Sequence, residues 1–176
     1  MYQSPQETIH DFHLIDPSSP LKSRCFGCSQ QNPYGLRMQF QSNGRETLIA
    51  DITVPSHLCG WNNLAHGGII AAILDETMGT TGLSLLQAFI MTKTMTVHFK
   101  KPVPVAAPLR AQGKITRRDE KYAYIEACIL DENNQNLASS DGIFRIFTRK
   151  ECANLPAMDQ IQTPAFFQHP TAEGDC

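Results

Sequence analysis

One stretch constrains this chain more than any other: from Gly67 to Leu86, twenty residues pass with no basic side chain and with Asp75 and Glu76 as a central acidic pair. About twenty apolar residues can span a bilayer. Ionised carboxylates at the centre of a span are costly, however, so the segment reads as the buried helix of a globular core, and no membrane association is expected. At 100° per residue, Ile70, Ile73, Leu74, Thr77, Thr81 and Leu85 share the side that should meet a sheet. The opposite side carries Asp75 on a stripe of Ala71, Ala72, Gly79, Gly82 and Leu86. Two glycines inside a helix each cost roughly 1 kcal/mol relative to alanine, so this stripe reads as a face built for close approach, by a partner subunit or by a substrate.

The rest of the chain reads as strands. Leu36, Met38 and Phe40 alternate with Arg37, Gln39 and Gln41, the period-two pattern of a half-buried strand. Asn43-Gly44 supplies a tight hairpin, and residues 47–54 resume the alternation with Leu48, Ala50, Ile52 and Val54 on one side. Residues 55–65 read as a loop. After the helix, residues 91–99, 109–118, 122–130 and 143–147 are predicted strands, separated by Pro102 and Pro104, by 118–121 and by 131–136. One helix cannot cover both faces of so many strands. The economical architecture is α+β, a curved antiparallel sheet wrapped around a long central helix, with its bare surface and edges left for a second copy. Residues 1–24, which allow a short helix before the breaker run Asp16-Pro-Ser-Ser-Pro20, form an N-terminal arm to a domain at 25–149. Residues 150–176 form a peripheral tail.

Composition removes several function classes. With 15 basic and 17 acidic residues among 176, the net charge is −2, which lacks the basic excess that nucleic-acid binding requires. The start has no positive n-region and no apolar h-region, so a cytoplasmic location is expected. Six cysteines are scattered over a chain long enough to fold on its own core, and no disulfide framework is indicated. Only Cys25-Phe-Gly-Cys28 forms a close pair. It offers two of the usual four zinc ligands, with no second pair at finger or ribbon spacing, so a structural turn is expected and no metal.

The helix start adds chemistry. His66-Gly67-Gly68 precedes the first apolar residues, so unpaired N–H groups and the positive end of the helix dipole are presented without obstructing side chains. An anion or a developing oxyanion suits such a place. Asp75 lies eight residues further on, about 12 Å along the same helix. Gly67 and Asp75 of one chain therefore do not meet at one reacting carbonyl, whereas a two-fold dimer can bring Gly67 of one copy beside Asp75 of the other.

The run from His66 through Gly67, Gly68 and Asp75 to Gly79, followed by the strand from Met91 to Pro102, resembles the hotdog-fold acyl-CoA thioesterases of the phenylacetate-pathway branch. Cys25-Phe-Gly-Cys28 with Asn32-Pro-Tyr-Gly-Leu36 is similar to the N-terminal segment of many members. The resemblance implies the hotdog fold, an acyl-CoA substrate, no cofactor, and a homodimer or dimer of dimers with its sites at the subunit interface. It further implies that Gly67 gives a backbone donor to the thioester oxygen, that Asp75 is general base or nucleophile, and that Thr92 helps hold the attacking water. His66 is a further catalytic candidate, or else orients its loop by a hydrogen bond. Glu76 is the adjacent acid, either structural or exchanging roles with Asp75. Some members carry Asn or Gln six residues before the His; here that position is Gly60, with Asn62 and Asn63 as the nearby amides. Arg117 and Arg118 resemble the basic pair that meets the nucleotide end of coenzyme A, and Gly68 completes the substrate-binding candidates. A non-catalytic acyl-CoA-binding module on the same fold is the alternative.

Overall fold

The computed structural model describes residues 13–14, 24–42 and 46–152. In chain order these form β1 (His13–Leu14), β2 (Gln41–Ser42), β3 (Thr47–Thr53), a 3-10 turn (Ser56–Leu58), β4 (Cys59–Trp61), β5 (Leu64–Ala65), α1 (Gly67–Leu86), β6 (Phe89–Phe99), β7 (Pro108–Arg118), β8 (Tyr122–Leu130), β9 (Asn136–Phe147) and α2 (Arg149–Cys152). Seven strands make one antiparallel sheet in the order β1-β2-β3-β7-β8-β9-β6, and β4 and β5 form a separate hairpin. The sheet curves around α1, which touches β3, β6, β7, β8 and β9. Leu48, Leu74, Met78, Ile129 and Phe144 are buried between them. The helix is apolar and long enough to cross a membrane by length and composition, yet it is the core helix of this sheet.

Helix α1 occupies the predicted residues because both ends are specified locally. His66 caps the start: its Nδ1 accepts the N–H of Gly68 at 3.0 Å, and its carbonyl takes those of Ile69 and Ile70. At the other end Gln87 turns left-handed, with φ 51°, and the helix stops. The sheet-facing side is wider than the sequence suggested. Met78 and Gly82 are buried with Ile70, Ile73, Leu74, Thr77 and Thr81, while Leu85 is half-exposed. Gly82 therefore leaves the Asp75 stripe: a Cβ there would collide with Ile90 and stand 2.9 Å from Ile125. Gly79 stays on the stripe, with open space where a Cβ would stand.

Three other readings are corrected. Residues 36–40 alternate in burial, Met38 and Phe40 inside and Arg37 and Gln39 outside, but they join no ladder until Gln41. The N–H groups of Leu36 and Met38 go to the carbonyls of Phe26 and Gly27 at 2.7 and 2.9 Å, and Arg37 has φ 51°, so the segment is strapped to the cysteine turn. The loop at 55–65 contains the 3-10 turn and the β4–β5 hairpin. Strand β9 begins at Asn136, seven residues before its predicted start at 143. The Asn43-Gly44 turn lies outside the described residues, as does most of the arm; of the arm, His13–Leu14 pair with β2 as a strand rather than a helix. The tail from 150 starts in α2, where Cys152 is buried and Glu151 bonds Arg145 at 2.6 Å; residues 153–176 lie outside the described set.

Candidate active site

Strand β6 lies at the sheet edge and carries a β-bulge between Thr92 and Thr94 in its pairing with β9. An extra residue inverts the alternation of faces. Ile90 and Thr92 lie before the bulge, and Thr92 stands opposite the buried Phe144, so both face the helix. Beyond it, the inward positions are Met95 and Val97, while Thr94, Thr96 and His98 point outward. The sequence put Thr92, Thr94, Thr96 and His98 on one face; the bulge at Lys93 detaches Thr92 from that row and turns it toward α1. There its Oγ1 donates to Asp75 Oδ1 at 2.8 Å. The pair joins the middle of the helix to the edge strand, seventeen residues apart in the chain.

At the start of α1, the N–H of Gly67 has no hydrogen-bond partner among the described residues, while its successors are taken by His66. A Cβ on Gly67 would lie 3.6 Å from the exposed ring of Phe99. Gly67 is thus a free donor on an accessible helix end. His66 is held as the helix cap through its Nδ1. Asn62 and Asn63 are exposed on the β4–β5 hairpin; Asn62 has φ 43°, and the Asn63 carbonyl accepts the N–H of Val105 at 2.8 Å.

Arg117 and Arg118 lie on opposite faces of β7. A second bulge, between Ile115 and Arg117, places Arg117 opposite Tyr124 and Arg118 opposite Ala123. Arg117 stacks on the Tyr124 ring, 3.7 Å from its centroid. Arg118 shares a cross-strand row with Ala123, Phe144 and Thr92, which puts it three strands, about 14 Å, from Thr92. Of the two, Arg118 sits on the sheet face that carries Thr92.

Glu76 is neither solvated nor beside Asp75's partners. It turns to the cysteine loop, where Cys25 Sγ lies 3.4 Å from its Oε2, and its Oε1 accepts the Thr80 hydroxyl at 3.4 Å. Burial pushes its carboxyl up to about 7; the hydrogen bond with Cys28 works against the rise, and the negative charge on Cys25 adds to it. Cys25 is drawn down to about 5, chiefly by the hydrogen bond from Cys28, and Cys28 is driven upward by the same pairing and by burial. The sequence could not show this contact, because Glu76 follows Cys25 by 51 residues.

The raised carboxyl fixes the sign of a pH effect. Between about 4.5 and about 7 the unfolded Glu76 is ionised while the folded one keeps its proton, so the contribution of Glu76 to stability falls as pH rises through that window, while Cys25, drawn down to about 5, contributes in the opposite sense. Urea unfolding of the reduced, chelator-treated chain should show wild type losing on the order of 2 kcal/mol relative to Glu76→Gln between about pH 5 and about pH 7.5. A wild-type minus mutant difference that stays flat with pH would remove this assignment.

A surface depression of about 490 Å³ is lined by Ile52, Leu109, Arg110 and Asp131 among others, and contains none of Asp75, Thr92 or Gly67. The Asp75–Thr92 pair opens instead onto the half-exposed helix stripe and the edge of β6.

Comparison with known proteins bears on the same segment. Residues 62–138 match the family model described as the thioesterase superfamily. The acyl-coenzyme A thioesterase THEM4 of Rattus norvegicus is 22% identical over 143 residues, covering 77% of this chain and 61% of that protein. The chain thus spans about three fifths of the length of that curated relative. Among solved structures, a hypothetical thioesterase protein with coenzyme A from Streptococcus pneumoniae TIGR4 aligns at TM-score 0.55 and 15% identity, over 58% of this chain and 79% of that one. The E. coli PaaI protein from the phenylacetic acid degradation operon aligns at 0.58 and 14%, over 62% and 83%. At these identities the structures speak for the fold. The curved sheet around α1 is a hotdog fold, and the segment 62–138, which carries the helix and the Asp75–Thr92 pair, is the part of the chain that resembles the thioesterase superfamily.

Proposed function

We propose that this chain hydrolyses acyl-CoA thioesters to a carboxylic acid and free coenzyme A, with Asp75 as general base. The observation that carries the reading is the 2.8 Å bond from Thr92 to Asp75 Oδ1, which fixes the carboxylate and leaves Oδ2 for a water. The water oxygen adds to the thioester carbon as its proton passes to Asp75. The C–S bond then breaks, and the coenzyme A sulfur leaves and takes a proton. The relative named as an acyl-coenzyme A thioesterase and the neighbour solved with coenzyme A support this substrate class. No cofactor enters the reaction.

The oxyanion forming on the thioester needs a donor, and the N–H of Gly67 at the helix start is the free one. Because Gly67 and Asp75 stand about 12 Å apart along α1, each site joins Asp75 and Thr92 of one copy to Gly67 of another. The unit of catalysis is therefore a dimer, alone or within a dimer of dimers, with Arg118 available to a nucleotide phosphate.

The test is steady-state release of free thiol from short, medium, long-chain and aryl acyl-CoAs, with Thr92→Val run beside wild type. Removing the hydroxyl that holds Asp75 should lower kcat roughly tenfold with little change in KM. Absence of turnover on every thioester, with coenzyme A esters still bound, would replace this reading by the non-catalytic binding module.

A further inference from the structure

The cysteine turn plays no part in that reaction, yet it is built with more care than a loop anchor needs. We propose that Cys25, Cys28 and Glu76 form a binding site for a thiophilic divalent cation of the zinc class, which clamps the 24–40 loop to α1. The sequence alone offered two ligands of the usual four. The fold adds a third from the helix.

The two sulfurs and one Glu76 oxygen all lie within 4.8 Å of one another, and Cys25 Sγ is 3.4 Å from Glu76 Oε2. Metal–sulfur and metal–oxygen bonds of about 2.3 and 2.0 Å at a tetrahedral angle place the two donors roughly 3.5 Å apart. The observed separation matches that edge. Position 27 must lack a side chain for this to happen, since a Cβ on Gly27 would collide with the Glu76 carboxylate. Its N–H instead donates to Cys25 Sγ at 3.3 Å, an interaction that favours a bound thiolate.

The shell around the donors is fixed. Thr80 orients the Glu76 carboxylate from one turn further along α1. The turn itself is held from outside: Met38 bonds the Gly27 carbonyl at 2.9 Å, Leu36 the Phe26 carbonyl at 2.7 Å, and the Asn32 amide the Arg24 carbonyl at 3.1 Å. Two thiolates with one carboxylate select a zinc-class ion over magnesium or calcium, which take oxygen donors. Three protein donors leave a fourth position for water or an added ligand.

The test uses the full chain, reduced and stripped by chelator, titrated with Co²⁺ as a visible stand-in and then with Zn²⁺. One equivalent of Co²⁺ should produce thiolate-to-metal charge-transfer absorption that Zn²⁺ abolishes. Glu76→Gln should weaken binding at least about tenfold, and Cys28→Ser should remove the absorption. Should either variant fail to fold, wild type decides: bound Zn²⁺ should protect Cys25 and Cys28 from a maleimide while the exposed Cys59 still reacts, read by peptide mass. No charge-transfer band, or binding without protection of the pair, overturns the site. Glu76→Gln binding as tightly as wild type overturns the part given to Glu76. A chain that takes up no metal but forms a Cys25–Cys28 disulfide with a low-molecular-weight disulfide as oxidant is a redox pair instead.

Discussion

Replacing Asp75 by Asn is expected to lower kcat for the preferred acyl-CoA by 10²-fold or more, within the range that a general base contributes. The substitution is nearly isosteric. The Asn carbonyl oxygen can still accept the Thr92 hydroxyl, so the hydrogen bond now 2.8 Å long survives while the charge and the proton-accepting oxygen are lost. A hundredfold loss corresponds to about 2.7 kcal/mol of transition-state stabilisation. Stability should scarcely change, because Asp75 lies on the half-exposed stripe rather than against the sheet. Urea unfolding beside the kinetics separates the two effects. An Asp75→Asn enzyme that turns over within a few-fold of wild type would remove Asp75 as the base; Glu76, turned to the cysteine loop, is poorly placed to substitute.

The second large effect falls on the core behind the same pair. Phe144→Ala is expected to cost about 3–5 kcal/mol, the range for an aromatic removed from a closed interior. Phe144 is buried and has no room to collapse inward: a Cβ on Gly142 would stand 2.7 Å from its ring and 2.9 Å from Met78 sulfur. The ring thus fills the place where Gly142 has no side chain, between β9 and α1. Opposite it in the ladder stands Thr92, so the truncation should also loosen the strand that presents the hydroxyl. Denaturant unfolding measures the first consequence. A loss below about 1 kcal/mol would show that the site repacks freely.

How far the sequence reached depended on whether the deciding contact was local. Helix α1 and strand β8 could be read with their ends, since His66, the apolar spacing and the turn residues act within a few positions. Strand β9 was half missed because Ser139, Ser140, Asp141 and Gly142 have low strand preference; they are extended because β8 and β6 pair with them from both sides. Residues 36–40 show the converse, a strand-like burial pattern whose N–H groups are claimed by Phe26 and Gly27. Asp75, Thr92 and Gly67 were reached through family resemblance and the helix stripe. That Thr92 faces α1 was hidden, because a bulge changes the parity of a strand without leaving a mark in its composition. Glu76 was hidden by distance along the chain.

The two margins of the sheet are unequal among the described residues. One ends in β1 and β2, two residues each, and the other in β6, eleven residues long, with Met91 and Phe99 open to solvent. A second copy laying its β6 antiparallel against this one would satisfy both long margins in a single act, and the short margins left outside could not seed a further row. In such a pair the asymmetry would work as a stopping rule: one long margin per molecule would be used up in the continuous sheet, and the two-residue strands at its ends would offer little for a further copy to add to.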